Sequence, residues 1–268
     1  MSPPPAVRHV HSRDNPDYRL SLRLARGKPA RRDGRVLLEG LHLCDAWLTH
    51  QGLPGLMLAG ETDLATPAVQ ALWQTAAEAS RVILADALAH ALSQVHEGSA
   101  VFFVVEPPRP PLPNRIAQTC LWLDRVQDPG NLGTLLRTAA AAGLRQAFLS
   151  AGCAAAWSPK ALRGGQGAHF ALQVYEKVDL ASLLPHLEIP LAATTLEAGS
   201  DLYAQDLRPD CVWLFGNEGQ GVLPELMRRA QWRLTIPQDA GVESLNVAAA
   251  AAVCLFEQRR QRRGGPAP

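Results

Sequence analysis

Short apolar runs alternate with amphipathic stretches along most of this chain, and their spacing predicts its secondary structure. In the first part of the chain, the apolar runs that predict β-strands lie at 35–38, 56–59, 81–84 and 100–105. The stretches with helical character lie near 16–26, 40–50, 67–78 and 86–95. Strands and helices that alternate in this way predict a small α/β domain.

The same alternation continues in the second part of the chain. The strand-like runs there lie at 119–123, 146–150, 171–175, 190–195, 211–215 and 232–236. Helical stretches separate these runs, which is typical of a mostly parallel sheet covered by helices on both faces. We therefore expect a second α/β domain built on such a sheet.

A proline-rich segment separates the two patterns. The sequence EPPRPPLPNR can form neither a helix nor a central strand, and it favours an extended, semi-rigid spacer. We therefore predict a first domain at 1–106, a linker at 107–114 and a second domain at 115–263.

The composition is that of a globular protein, with 268 residues of which 47% are hydrophobic and 19% are charged. No apolar run approaches the roughly 18 residues of a membrane span. The N-terminal sequence MSPPPAVRHVHSRD lacks the apolar core of a secretory signal. We expect a cytosolic protein that makes no contact with a membrane.

The cysteines and histidines do not suggest a metal site. The 5 cysteines are far apart and form no C-x-x-C pair, so we interpret them as buried thiols rather than as disulfides or zinc ligands. The 8 histidines show no spacing typical of metal ligands. We therefore expect no bound metal.

Charge is distributed unevenly although the net charge is only +1. Residues 1–35 hold nine Arg or Lys and three acids, whereas residues 36–106 hold one basic residue and eight acids. A basic segment favours contact with a polyanion such as RNA, and the candidates for phosphate contacts are Arg26, Lys28, Arg31 and Arg32. Arginine far outnumbers lysine, which suits bidentate phosphate binding, but a GC-rich genome explains that preference equally well.

The first of three informative segments is LDRVQDPGNLGTLLRTAAAAG at 123–143. A strand is predicted to end at Asp124, a turn follows, and Asn131 is a candidate cap for a helix with an apolar stripe. Arg137 lies off that stripe, where a lone arginine is most simply a solvated surface residue.

The second segment, VWLFGNEGQGV at 212–222, runs from an apolar strand into a glycine-rich loop around Asn217 and Glu218. Glycine allows a backbone to approach a ligand closely, although such loops also occur as ordinary connections. The segment matches neither the dinucleotide-binding G-x-G-x-x-G nor the P-loop, so the sequence gives no support to nicotinamide or nucleoside triphosphate chemistry.

The third segment, LTIPQDAGVESLNVAAAAAVCLFEQRR at 234–260, contains a loop followed by an alanine-rich helix. Ser244 is a candidate cap for this helix, and the alanines favour tight packing in a core or a subunit interface. Ser244 and Asn246 are expected near the carboxyl ends of the strands, where open α/β sheets bind ligands.

Together the three segments resemble the SpoU, or TrmH-like, branch of the SPOUT RNA methyltransferases. The first motif of that family reads here as DPGNLG at 128–133 followed by RTA at 137–139. The second reads as FGNEGQG at 215–221, and the third as IP at 236–237 followed by SLNV at 244–247. The stretch 35–48 also resembles the ribosomal-protein-like substrate-binding domain that precedes the catalytic domain in many members.

The resemblance implies a C-terminal α/β domain with a mostly parallel sheet and a deep trefoil knot, preceded by a small α/β substrate-binding domain. It implies that S-adenosylmethionine binds in the knot, with contacts at Gly216, Ile236 and Leu245. It also implies a homodimer with the site at the subunit interface, where the alanine-rich helix suits close packing.

The implied reaction is methyl transfer to a ribose 2′-hydroxyl of RNA, with Arg137 as the catalytic arginine. Because a guanidinium with a pKa above about 12 is a poor proton acceptor, we favour orientation and electrostatic activation as its role. We expect Asn131 and Glu218 to position Arg137 and the ribose, and Ser244 and Asn246 to hold the reacting groups by hydrogen bonds.

Several alternatives remain open at this point. The protein is either an enzyme of this kind or a non-catalytic relative that binds RNA through its basic N-terminal segment. Methylation of a base or of a tRNA ribose are further alternatives. A preceding substrate domain is more typical of members that act on ribosomal RNA, so we expect 23S rRNA as the substrate.

Overall fold

The chain separates into two compact units in a computed structural model that describes residues 5–27, 34–95, 98–196, 199–239, 241 and 243–264. One unit comprises Met1–Pro108 with Trp157–Leu162, and the other comprises Arg109–Ala156 with Arg163–Pro268. The first division, after Pro108, falls inside the proline-rich segment.

The first unit contains a five-stranded mixed sheet. Its strands are β1 (Arg8–Val10), β2 (Val36–Glu39), β3 (Leu56–Gly60), β4 (Ser80–Leu84) and β5 (Val101–Val105), in the order β1-β4-β3-β5-β2. Strand β5 runs antiparallel to β2 and β3, and the other pairs are parallel. The short edge strand β1 has one buried residue, and the hydrophobic pattern did not predict it.

Four α-helices in the described part of this unit lie close to their predicted positions. They are α1 (Pro16–Ala25), α2 (Leu41–Gln51), α3 (Pro67–Thr75) and α4 (Asp86–Leu92). Asn15 caps α1 by accepting hydrogen bonds from the backbone of Asp17 and Tyr18, and Pro16 occupies the first helical position. The buried side of α1 joins a core with Phe102 and Val104 of β5.

The second unit contains a seven-stranded sheet in which every described pair is parallel. Its strands are β6 (Cys120–Leu123), β7 (Gln146–Ser150), β8 (Gln173–Val178), β9 (Leu191–Thr194), β10 (Ser200–Asp201), β11 (Val212–Phe215) and β12 (Trp232–Thr235). Their order is β10-β12-β9-β11-β6-β7-β8. The α/β architecture with a mostly parallel sheet is therefore confirmed.

The α-helices that follow are α5 (Pro129–Ala142), α6 (Pro159–Gly165), α7 (Ala168–Ala171), α8 (Leu180–Leu183), α9 (Pro224–Arg229) and α10 (Val247–Arg263). Helix α6 begins in the segment that is grouped with the first unit. The strand predicted at 171–175 begins later, because the residues before it form the short helix α7.

Aromatic packing fills the core of the second unit. All residues of the central strands β6 and β11 are buried. On one face, the ring of Phe148 stacks on Tyr175 with centroids 4.5 Å apart. Elsewhere in the unit, the indole nitrogen of Trp213 donates a 2.8 Å hydrogen bond to Gln258 of α10, which satisfies a buried polar group.

Helix α10 packs against α5, and the two helices also share polar contacts at their ends. Helix α5 ends at Ala142, and the next residue, Gly143, has a left-handed backbone (φ 99°) that suits glycine. Beside it, Arg259 of α10 donates a 3.1 Å hydrogen bond to the carbonyl of Ala141. Small alanine side chains allow the two helices to lie close together, so the alanine run serves packing within this chain.

The cysteines are free thiols, and four of the five are buried. Burial raises the pKa of Cys211 to about 12, so this thiol is protonated at neutral pH. Within the part of the chain that the structure describes, no helix combines the length and the apolar character needed to cross a membrane.

Candidate active site

The loops that follow β6 and β11 lie side by side because these strands are hydrogen-bonded neighbours. Phe215 at the end of β11 is in register with Leu123 at the end of β6. The pairing extends one residue further, since the backbone amide of Asp124 donates a 2.8 Å hydrogen bond to the carbonyl of Phe215. The first and second sequence motifs therefore begin at the same edge of the sheet.

Glu218, in the loop after β11, is held by three hydrogen bonds from the first motif and the residue just before it. Its carboxylate accepts bonds from the backbone amides of Gln127 and Asp128, both at 3.2 Å, and from Asn131 Nδ2 at 3.0 Å. Partial burial raises the pKa of this carboxyl, but these hydrogen bonds outweigh it and lower the pKa below its ordinary value. Glu218 is therefore an anionic acceptor at neutral pH.

Asn131 does not cap α5, contrary to the sequence-based expectation. The cap is Asp128, whose side chain accepts a 2.8 Å hydrogen bond from the backbone amide of Asn131. Aspartate is as good a cap as asparagine, and the turn places it just before the first helical residue, Pro129. The Asn131 side chain is therefore available for Glu218 on one side and Asn246 on the other.

Asn246 brings the third motif to the same place. Its Nδ2 donates a 3.0 Å hydrogen bond to Asn131 Oδ1. Its own Oδ1 accepts bonds from the backbone of Ala248 and Ala249, so Asn246 caps α10. The prediction that Ser244 caps this helix is wrong, because the helix begins at Val247 and Ser244 lies too far before it. The three motifs are thus linked by hydrogen bonds of Glu218 and Asn246 with Asn131, which lies between them.

Arg137 is exposed and donates no hydrogen bond to any other residue that the structure describes. It lies six residues after Asn131 in α5, which places it about 9 Å further along the helix and about 120° around it. Neither Asn131 nor Glu218 forms a hydrogen bond or an ion pair with Arg137 among the described residues. Ser244 is also exposed, and it makes no hydrogen bond within the described ranges.

The three predicted cofactor contacts differ in exposure. Ile236 is buried, at 8% exposure, whereas Leu245 is 36% exposed. Gly216 is buried, and a Cβ there would lie 2.2 Å from backbone atoms of Gly221 and Val222. The close approach that requires glycine at this position is therefore to the protein's own loop.

The loop closes on itself through paired backbone hydrogen bonds. Asn217 and Gly221 exchange two such bonds, at 3.1 and 2.9 Å. The Asn217 side chain also accepts bonds from the backbone of Gly219 and Gln220. This compact turn presents Glu218 at its tip, where the carboxylate reaches the first motif.

Of the predicted RNA contacts, Arg26 is exposed directly after α1. Lys28, Arg31 and Arg32 lie outside the residues that the structure describes. Arg8, a further cation of the basic segment, forms a 2.6 Å ion pair with Asp17 and is therefore partly neutralised.

Sequence spacing missed one group of potential metal ligands in the first unit. The exposed side chains of His9, His11 and Glu61 place ligand atoms within 4.8 Å of one another. Glu61 follows a different strand from the two histidines, so no linear spacing could reveal the group. The absence of a bound metal stays a prediction.

Arg125 was not predicted as a site residue, although it lies in the loop after β6 and contacts the loop after β11. Its guanidinium forms an ion pair with the fully buried Asp124, with Nε 3.2 Å from Oδ1. The available signal was an acid and an arginine at the carboxyl end of a buried strand, a place where a charge needs a partner.

Comparisons with known proteins agree with this arrangement. The model of the SpoU rRNA Methylase family matches residues 118–256. A Synechocystis protein named as an uncharacterized tRNA/rRNA methyltransferase is 32% identical, over 98% of this chain and 97% of its own length. RlmP of Bacillus subtilis, a 23S rRNA guanosine 2′-O-methyltransferase, is 38% identical over 53% of this chain and 58% of its own.

A solved structure is similar over nearly the whole chain. The AdoMet-bound rRNA methyltransferase from Sinorhizobium meliloti superposes with a TM-score of 0.83 at 27% identity, covering 95% of this chain and 98% of that one. The family model covers more than half of the chain, and the Synechocystis relative covers almost all of it. The sequence-based resemblance is therefore confirmed, and this chain belongs to the SpoU rRNA Methylase family.

Proposed function

We propose that this protein transfers a methyl group from S-adenosylmethionine to a ribose 2′-hydroxyl of ribosomal RNA. The observation that carries the proposal is the contact of all three family motifs through Glu218, Asn131 and Asn246. Two further findings support it: RlmP carries the name of a 23S rRNA 2′-O-methyltransferase, and the Sinorhizobium neighbour was solved with AdoMet bound.

The residues of the site fit a sulfonium ligand with an adenosine moiety. Leu245 offers an exposed apolar side chain and Ile236 lies at the end of β12, so both suit contacts with an adenine ring. The anionic Glu218 favours a cation nearby. When bound, S-adenosylmethionine supplies a methyl group on a positively charged sulfur.

The protein must orient the ribose and assist loss of the hydroxyl proton. Glu218 accepts three hydrogen bonds, so its role is to fix the amide of Asn131. The hydroxyl of Ser244 is available to hydrogen-bond the substrate. The guanidinium donors of Arg137 are available to bind a phosphate or a developing alkoxide. Arg137 orients and stabilises charge, because its high pKa makes it a poor base.

The proposal includes a homodimer in which Arg137 of one protomer acts in the site of the other. Within one chain, Arg137 lies on a different side of α5 from Asn131. Helix α10 also presents an apolar residue, Phe256, that is 47% exposed. A second copy of the chain packed against α10 would cover Phe256. It would also bring the guanidinium of its own Arg137 to the site. The deep trefoil knot, the RNA-binding role of the first unit and the cytosolic location remain part of the proposal.

The test is methylation of RNA by the purified protein with labelled S-adenosylmethionine. Unmodified transcripts of 23S rRNA and tRNA serve as parallel substrates, and the Arg137→Ala variant controls for contaminating activity. Digestion to nucleosides followed by mass spectrometry should give a ribose-methylated nucleoside from the rRNA. A base-methylated nucleoside, label in tRNA alone, or no transfer to either RNA would overturn the proposal.

A further inference from the structure

Arg125 has an unusual backbone conformation at the edge of the site. It lies two residues after β6 with φ 56°, in the left-handed region that residues with a Cβ rarely adopt. Glycine would adopt this conformation at lower cost. Such strain persists only where the surrounding structure holds it, and it is concentrated at functional sites.

The backbone of Arg125 is held on both sides. Its amide donates a 2.8 Å hydrogen bond to Ser150 Oγ, at the end of β7. Its carbonyl accepts a 2.9 Å hydrogen bond from Asn217 Nδ2, in the loop after β11. The left-handed conformation thus allows one peptide segment to connect to both neighbouring strand ends.

The guanidinium of Arg125 holds the other end of the same loop. Nη1 donates a 2.7 Å hydrogen bond to Gln220 Oε1, and Nη2 donates a 3.2 Å bond to the carbonyl of Gly221. Asp124 orients the guanidinium, and its second oxygen accepts a 2.8 Å bond from the backbone amide of Leu223. The contacts of Arg125 therefore reach Asn217, Gln220 and Gly221, which flank Glu218 on both sides.

We propose that Arg125 is a positioning residue for methyl transfer, which fixes the loop 216–221 so that Glu218 stays on Asn131. The proposal rests on the proposed function, because the reaction gives the position of Glu218 its importance. Arg125 acts through Glu218 and touches no reacting atom. A loop whose only ties were its internal turn bonds would let the carboxylate move away from Gln127, Asp128 and Asn131.

The central variant is Arg125→Gly, which relieves the backbone strain and removes the guanidinium. The matched control is Lys177→Gly, because Lys177 is exposed in β8 and has a similar φ of 58°. Arg125→Lys keeps the charge but lacks the fork that reaches Gln220 and Gly221 together. Gln220→Ala removes the hydrogen bond between Gln220 and Arg125 and leaves Arg125 in place. It therefore tests how Arg125 holds the loop 216–221 if Arg125→Gly fails to fold.

The kinetic measurement is kcat and KM for both substrates. We expect Arg125→Gly to lower kcat about 100-fold, as for a misplaced reacting group. Arg125→Lys should recover part of that loss, and Lys177→Gly should match the wild type. In a Glu218→Gln background the effect of Arg125→Gly should shrink to a small factor, because both changes disturb the same interaction. An equal loss in both backgrounds, or no loss, would overturn the proposal.

Hydrogen exchange provides a readout that does not depend on activity. In Arg125→Gly, the amides of Gln127, Asp128 and residues 219–221 should exchange faster than in the wild type and in Lys177→Gly. Unchanged exchange at these amides would overturn the positioning role even if no RNA substrate were found. Conversely, faster exchange in Arg125→Gly, combined with no methyl transfer by the wild-type protein, would refute the proposed function and leave the positioning of the loop 216–221 by Arg125 supported.

Discussion

Two groups of polar residues within the candidate site differ in whether other residues of the same chain hold their side chains by hydrogen bonds. Asn131, Glu218 and Asn246 bond to one another and to the backbone, so their side chains are already fixed. Arg137 and Ser244 are exposed and form no hydrogen bonds with described residues. The first group is a preorganised frame, and the second group is available for RNA, cofactor or a second protomer. Variants of the two groups should therefore fail in different ways.

The largest effect is expected from Arg137→Ala. Losing a charge-stabilising group of this kind should lower kcat about 1,000-fold while affinity for S-adenosylmethionine and the melting temperature stay unchanged. Isothermal titration and scanning calorimetry check the latter two. The control is Arg145→Ala, which removes another exposed arginine just beyond the same helix. A variant that loses folding or cofactor binding would place Arg137 in the frame instead.

The position of Arg137 in the dimer can be tested by mixing inactive variants. Co-expressed Arg137→Ala and Asn131→Asp protomers form mixed dimers in which one of the two sites has both native residues if Arg137 acts across the interface. Activity should then recover to a fraction of the wild type. Recovery would be absent if each chain uses its own Arg137.

A somewhat smaller effect is expected from Asn131→Asp, which changes the frame with almost no change in shape. The new carboxylate would lie beside Glu218, where the native contact is 3.0 Å, and like charges at that distance repel. We expect kcat to fall about 100-fold. Thr134→Asp adds the same charge one turn further along α5 and should have little effect on activity. Equal activity losses in the two variants would point to net charge rather than to the frame.

A matched pair at the start of α10 separates the frame from the exposed group by stability. Asn246→Ala removes the cap of α10 and should lower the free energy of unfolding by about 1 kcal/mol. Ser244→Ala should change it by less than about 0.5 kcal/mol, although both should reduce activity. Urea denaturation measures the difference. A larger loss of stability in Ser244→Ala would contradict the capping observed here.

The smallest effect concerns the pH dependence of stability. Burial opposes ionisation of Glu218, but its hydrogen bonds lower its pKa, so the folded state favours the carboxylate. That contribution is present at neutral pH and is lost as the pH falls through the lowered pKa. The stability difference between the wild type and Glu218→Gln should therefore shrink on acidification. A difference that grows in acid would show that the folded state favours the protonated form.

The sequence alone predicted most helices and strands and the order of the three motifs. Apolar residues repeat with the period of the element they form, and this local signal is visible along the chain. The prediction missed the edge strands β1, which has one buried residue, and β10, which has two exposed residues. It also started β8 too early, where a short helix intervenes. It also assigned the cap of α5 to Asn131 instead of Asp128, because both residue types are equally suitable caps.

The tertiary structure alone decided which polar groups contact one another. Asn131 bonds to partners 87 and 115 residues away, and those contacts depend on the pairing of β6 with β11 and on the packing of α10 against α5. Periodicity indicates which side of an element is buried, but it carries no information on which distant side chain lies opposite. For the same reason, the contacts of Arg125 with the loop after β11 were invisible in the sequence. The sequence thus determined the elements and the chemical groups, whereas the fold determined their partners.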